Sequence, residues 1–163
     1  EICACLVGSE MCIRDRYTGL RISDILKFRV KDCYKKYYNI REMKTGKQKV
    51  YDWNPFLKRE IDKYIEGKEP DEYVFKSRKG RNQPITRYRA YKIIKTACNA
   101  CGVYNVGTHT LRKTFGLFLY EQSEKNIGMI MDILNHSSEN ITLRYIGIQQ
   151  EKNNSVMKKM RYF

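Results

Sequence analysis

Apolar residues recur at helical spacing through most of this chain and alternate at strand spacing in one short region. After a turn at Gly19, Ile22, Ile25, Leu26 and Arg29 follow an i, i+3, i+4, i+7 course, which predicts a short helix with Ser23 and Asp24 near its start. Arg21 and Asp24 then share one side of its first turn. Residues 37–43 and 48–53 are rich in aromatic and β-branched side chains and predict two strands, and Lys44-Thr45-Gly46-Lys47 has the length and glycine of a hairpin turn. Residues 30–33 predict a third strand. Asn54 as a cap and Pro55 at the first position open a helix over 55–66, with Phe56, Leu57, Ile61, Tyr64 and Ile65 as its apolar stripe and Gly67 as its end. Beyond it come a short extended piece over 72–75 and a basic loop over 76–84.

Thr86 predicts the cap of a further helix whose Tyr88, Tyr91, Ile94, Cys98 and Cys101 face the core, stopped by Gly102. Thr108 caps a helix carrying His109, Arg112, Phe115, Leu119 and Tyr120. Residues 127–134 and 138–145 read as short helices, the second starting at Ser138 or Glu139. A last helix over 149–160 has Val156, Met157 and Met160 on one side. The expected fold class is α+β, mainly α, with one small antiparallel sheet and no internal repeat.

Composition narrows this picture. The 163 residues fit one domain with a sizeable core, and 42% hydrophobic content is ordinary for a globular chain. No run of about eighteen apolar residues is present to span a membrane. Residues 1–16 differ in character from the rest of the chain: clustered cysteines, no helical stripe and a polar Gly8-Ser9-Glu10 interruption mark a truncation point or a non-native junction. Residues 1–7 lack a basic leader, which argues against a signal peptide. Cys3, Cys5, Cys12 and Cys33 have no partner spacing, and Cys98-x-x-Cys101 has no second ligand pair, so the expectation is reduced thiols, no metal and a cytoplasmic location.

The formal charge is +14, which favours a polyanion, nucleic acid before membrane. Its distribution sharpens the point. Between Tyr73 and Tyr120 there is no acidic residue, while ten lysines and arginines occur there. Segregation of sign is the footprint of phosphate neutralisation. Lys47, Lys49, Arg78, Lys79, Arg81, Arg87 and Arg89 are the candidate contacts to backbone phosphates, which would position DNA without reading it.

The chain has two histidines, and both fall between residues 109 and 145. His109 and Arg112 lie three residues apart, one helical turn, and His136 stands nine residues before Tyr145. Thr18-Gly19-Leu20-Arg21-Ile22-Ser23-Asp24, Lys44-Thr45-Gly46-Lys47, His109-x-x-Arg112, Leu134-x-His136-Ser137 and Arg144-Tyr145 occur in an order and spacing that resemble the tyrosine recombinase (phage integrase) family. The resemblance runs from about Tyr17 to Gly147. It implies the helical catalytic domain of that family over residues 17–163, with a C-terminal tail from about residue 148. It also implies double-stranded DNA as partner, a monomer when free and a homo-tetramer in the synaptic complex.

The chemistry of phosphodiester transfer fits the same residues. Arg21 and Arg112 are planar forks that hold phosphate oxygens and stay charged, with His109 as a third donor. Lys44 on a hairpin tip can protonate the leaving 5′-oxygen. His136 donates to the phosphate or assists the nucleophile, and Asp24 orients His109 or an arginine. Tyr145 is the nucleophile, and the product is a 3′-phosphotyrosine. The scheme calls for no cofactor, metal or ATP. Taken singly, each residue has a plainer role: Arg21 in a surface ion pair, His136 as a cap, Lys44 keeping a turn soluble, Tyr145 in packing with most of the 13 tyrosines. Rival readings of the whole are DNA relaxation of the type IB topoisomerase kind, a non-catalytic DNA-binding module and an RNA-binding basic protein.

Overall fold

The computed structural model describes residues 17–160. The atypical segment 1–16, with Cys3, Cys5 and Cys12, lies outside the described residues, as do residues 161–163. The elements in order are α1 (Ile22–Ile25), α2 (Val30–Cys33), β1 (Tyr37–Arg41), β2 (Gln48–Asp52), α3 (Pro55–Ile65), α4 (Arg87–Ala100), α5 (Thr108–Gln122), α6 (Ile127–Leu134), α7 (Glu139–Ile146) and α8 (Ile148–Lys159). Helices dominate, and the sheet among the described residues is one antiparallel hairpin, as expected for a mainly α chain of the α+β class. No helix among the described residues is long and apolar enough to cross a membrane.

Two hydrophobic clusters carry the fold. The larger gathers α1–α4 and the inner face of the hairpin, with Ile25, Val30, Leu57, Ile65 and Ile94 essentially excluded from water. Phe28, Tyr38 and Trp53 stack at its centre, the Tyr38 and Trp53 rings 4.8 Å apart. The smaller cluster holds Ile130, Leu134 and Ile146, with Phe115, Leu119 and Tyr145 packed against it. Hairpin register pairs Tyr38 with Tyr51 and Ile40 with Lys49, so the inward row along β1 and its extension is Tyr38, Ile40, Glu42.

Local chemistry explains most boundaries. The Asn54 side chain accepts from the Phe56 and Leu57 amides and Pro55 occupies the first turn, so α3 begins where its sequence dictates. Thr86 caps α4 through the Arg89 amide, and Ser138 caps α7 through the Ile141 amide. α5 starts one residue earlier than expected. Gly107 is its cap and Thr110 accepts from the Gly107 amide, so Thr108 opens the helix and does not cap it.

Two further expectations fail, the second in part. Val30–Cys33 is a helical turn, not a third strand: Val30 and Cys33 are both fully buried, a spacing that a strand would send to opposite faces, and Asp32 accepts from the Arg29 amide. Of the expected face of α4, Ile94 is fully buried and Cys98 packs against the larger cluster, but the buried neighbours of Ile94 are Ala90 and Ala97, while Tyr88 is 66% exposed under the Lys92 ammonium. Small alanines let α4 approach the core closely, and the tyrosines flank that contact.

Candidate active site

Chain geometry brings the site together at the seam between the two clusters. Arg21 caps α1 in extended conformation just after Gly19, whose φ of +58° suits glycine and whose Cα faces the Phe115 ring; a Cβ there would lie 2.3 Å from ring carbons. That close approach seats the Arg21 turn on α5. From α5, Arg112 points inward and is only 3% exposed. Its Nη1 donates to the Gly19 carbonyl at 2.5 Å and its Nη2 to the Leu134 carbonyl at 2.8 Å. Two carbonyls therefore fix the plane of the guanidinium and leave its remaining N–H groups for other acceptors. Burial and then Arg21 pull the Arg112 pKa down, while Tyr145, within hydrogen-bonding reach, and Glu42 oppose them.

Arg21, Lys44, His109 and Arg112 line one open cleft of about 950 Å³, together with Arg87, Tyr88 and Tyr91. His109 sits exposed in the first turn of α5, and Lys44 is exposed in the β1–β2 turn. Asp24 lies elsewhere than expected. It is fully buried, and its Oδ1 accepts from the Met43 amide at 3.0 Å and lies 3.9 Å from the Lys27 ammonium, so the carboxylate ties α1 to the hairpin and bonds to neither the His109 ring nor a guanidinium.

His136 follows Asn135, the left-handed residue that ends α6. Its Nδ1 lies 3.1 Å from the Thr142 Oγ1, which spends its own proton on the Ser138 carbonyl. Nδ1 is therefore the donor, and in the neutral ring Nε2 carries a lone pair. Burial, then Arg112, Arg21 and Lys49, lowers the His136 pKa and favours that neutral form. The imidazole meets the Tyr145 ring edge-on, centroids 4.9 Å apart, with the Lys113 ammonium 5.7 Å from the Tyr145 ring centre. Tyr145 is half-buried in the last turn of α7.

Of the basic residues expected to face phosphate, Lys47, Arg78, Lys79, Arg81, Arg87 and Arg89 are exposed. Arg78, Lys79 and Arg89 line a second groove of about 1000 Å³. Lys49 does not fit that role. It is 6% exposed, donates to the Ile133 carbonyl and lies 3.5 Å from Glu42 Oε1. Its ammonium is spent inside the protein, and its burial is the largest effect lowering its pKa, against the attraction of Glu42.

Glu42, Thr45, Asn135 and Thr142 were not singled out from the sequence, yet all touch site residues or their immediate neighbours. One signal was available: Glu42 continues the inward alternation of Tyr38 and Ile40. Chemically, the cleft can gather several cations on one anionic group, and its Arg112 also neighbours the Tyr145 phenol, which packs against the His136 imidazole.

The profile of the phage integrase family matches residues 15–152. The probable integrase/recombinase YoeC of Bacillus subtilis (strain 168) is 44% identical over 142 residues, covering 86% of this chain and 77% of YoeC. The crystal structure of XerA recombinase superposes with a TM-score of 0.69 at 20% identity, over 96% of this chain and 59% of that one. A crystal structure of lambda integrase bound to DNA gives a TM-score of 0.61 at 19% identity, over 80% of this chain and 49% of that one. The chain thus spans roughly half of those two solved chains. With a family profile covering most of its length and a relative this similar, the chain belongs to the phage integrase family, the tyrosine recombinases.

Proposed function

We propose that this chain is the catalytic domain of a site-specific recombinase that cuts and rejoins strands of double-stranded DNA through a covalent 3′-phosphotyrosine. The observation that carries the reading is the convergence of Arg21, Lys44, His109 and Arg112, from three separate parts of the chain, on one cleft. That lambda integrase, similar in fold, has been solved bound to DNA supports DNA as the partner.

In the proposed step the Tyr145 oxygen attacks phosphorus as the bond from phosphorus to the 5′-oxygen breaks. Arg21, Arg112 and His109 bind the non-bridging oxygens, whose charge grows in the transition state. The Tyr145 proton leaves with help from the Arg112 charge and the bare Nε2 of His136. Lys44 gives its proton to the departing 5′-oxygen. A 5′-hydroxyl from another strand reverses the step and releases Tyr145. Charge stabilisation comes from side chains throughout, so the step proceeds without metal or ATP. Strand exchange is made by a homo-tetramer assembled on two duplexes from subunits that are monomeric when free.

Covalent capture tests the reading. Duplexes nicked within a randomised stretch are mixed with the protein, the reaction is stopped in detergent, and DNA attached to protein is recovered and sequenced. Wild type yields an adduct enriched in one sequence, in EDTA as well as without it, and Tyr145→Phe yields none. A wild-type protein that binds duplex and never forms an adduct would be a binding module and would end the proposal. Adducts with supercoil relaxation and no exchange between two selected sites would move it to the topoisomerase class.

A further inference from the structure

Glu42 is a fully buried carboxylate that the reaction scheme leaves unused. A carboxylate in that position is costly unless paired and hydrogen-bonded. Its partners belong to the candidate site or adjoin it. Its Oε2 lies 2.8 Å from Arg21 Nη1 and accepts from Thr45 Oγ1 at 2.7 Å and from Asn135 Nδ2 at 2.6 Å. Its Oε1 faces the Lys49 ammonium. The cost of burial, which alone would raise its pKa, is overcome by Thr45, Lys49, Asn135 and Arg21, which hold the carboxyl down at about 2.

These partners sit on pieces of chain far apart in sequence: the start of α1, the β1–β2 hairpin, and the corner between α6 and α7 that carries His136. The backbone of Glu42 also closes the turn. Its amide donates to the Lys47 carbonyl and its carbonyl accepts from the Gly46 amide. Lys44 lies inside the loop closed in this way, next to Thr45. An exposed lysine on a hairpin tip has no fixed reach unless its turn has a fixed seat.

We propose that Glu42 is a positioning residue for strand cleavage: it holds the Lys44 turn against Arg21 and the Asn135–His136 corner, so that Lys44 reaches the leaving oxygen. This rests on the phosphotyrosine reading above. Glu42 does not touch the phosphate and moves no proton.

The leaving group reports on this role. With an ordinary duplex the 5′-oxygen takes a proton from Lys44 as it departs. With sulfur in the 5′-bridging position, the bond from phosphorus to sulfur breaks and a thiolate leaves without a proton, because a thiol is far more acidic than an alcohol. Single-turnover cleavage of the sequence recovered by covalent capture, made with oxygen or sulfur at that position, separates the two. Glu42→Gln keeps the shape of the side chain and loses its charge. On the oxygen duplex it is expected to cleave about 30-fold slower, with duplex affinity within about threefold of wild type, and sulfur is expected to restore about tenfold. Thr45→Val removes one hydroxyl from an exposed turn residue and should lose about fivefold, also restored by sulfur; it decides the matter if the Glu42→Gln variant does not fold.

Lys44→Ala shares the sulfur-rescued pattern, whereas Arg21→Ala stays slow on both duplexes. Cleavage by Glu42→Gln within about threefold of wild type on oxygen, or an equal loss on both duplexes, overturns the inference. Either of those with an active wild type leaves the phosphotyrosine reading intact. A wild type that forms no adduct removes both.

Discussion

His136 is held in a defined protonation state by its neighbours. The Thr142 hydroxyl fixes Nδ1 as the donor, and burial with three nearby cations pushes the imidazole pKa below 6.5. The unfolded chain takes up a proton near pH 6.5 that the folded chain refuses. His136 therefore costs stability progressively as pH falls below 6.5 toward its folded pKa, and nothing above that window. The same shift keeps Nε2 bare at pH values where an ordinary histidine is charged, as the proposed transfer of the Tyr145 proton requires. Single-turnover cleavage should hold its plateau to below pH 6.5, and His136→Gln should lower the plateau about tenfold and remove the acid limb. An acid limb that survives in the variant would assign it to another group. His109, Arg112, His136 and Tyr145 were legible because their order along the chain is informative without coordinates. The partners of Glu42 were not, because the inward alternation of Tyr38 and Ile40 reaches Glu42 without saying what it pairs with; nor was the seat of Lys49, because in β2 the apolar Val50 faces out at 51% exposure and the charged Lys49 faces in. Hydrophobic alternation assigns such a strand to the wrong face. A buried ion pair is what reverses it.

Among the elements, the contact of α5 with α7 sets the distance between guanidinium and phenol. Gly116 lies one turn beyond Arg112, and a Cβ there would sit 2.8 Å from Ile146 Cγ2 and 3.1 Å from Leu134 Cδ1. Ile146 is the neighbour of Tyr145, and Leu134 supplies the carbonyl that Arg112 binds. Gly116→Ala is therefore expected to destabilise the fold by about 1–3 kcal/mol, as overpacking does, and to slow cleavage more than it weakens duplex binding. Thermal unfolding, single-turnover cleavage and a binding titration read the three effects. Unchanged cleavage would mean that the helices part without disturbing Arg112 or Tyr145. The caps Asn54, Thr86 and Ser138 made helix starts readable, since each acts within three residues of itself. Val30–Cys33 and the face of α4 misled for the opposite reason. Four residues are too few to show a period, and bulky tyrosines on α4 outshine the alanines that make the contact.

Over the whole molecule the site is a seam. Arg21 and Lys44 come from the side of the larger cluster, and Arg112, His136 and Tyr145 from the side of the smaller. Arg112 to Gly19, Glu42 to Asn135 and Lys49 to the Ile133 carbonyl cross between them. These polar ties act beside apolar contacts across the same seam, Gly19 on Phe115 and Leu111 on the larger cluster, so the register of the two sides rests on both. α8 stands apart from this arrangement. Val156, Met157 and Met160 are 63%, 66% and 53% exposed at the end of a helix that otherwise carries mostly polar residues. An apolar stripe left in water on a terminal helix is what a neighbouring subunit would cover in the proposed tetramer. Replacing Val156 and Met157 together by glutamate should leave the melting temperature of the free chain nearly unchanged, because exposed positions away from the core contribute within about 0.5 kcal/mol. Adduct formation on a single duplex should also persist, since neither residue lines the cleft. Sedimentation with two selected duplexes should then show one or two subunits per duplex and no tetramer. A tetramer that forms as well as in the wild type would mean that α8 is not the contact, and that the subunits meet through another face.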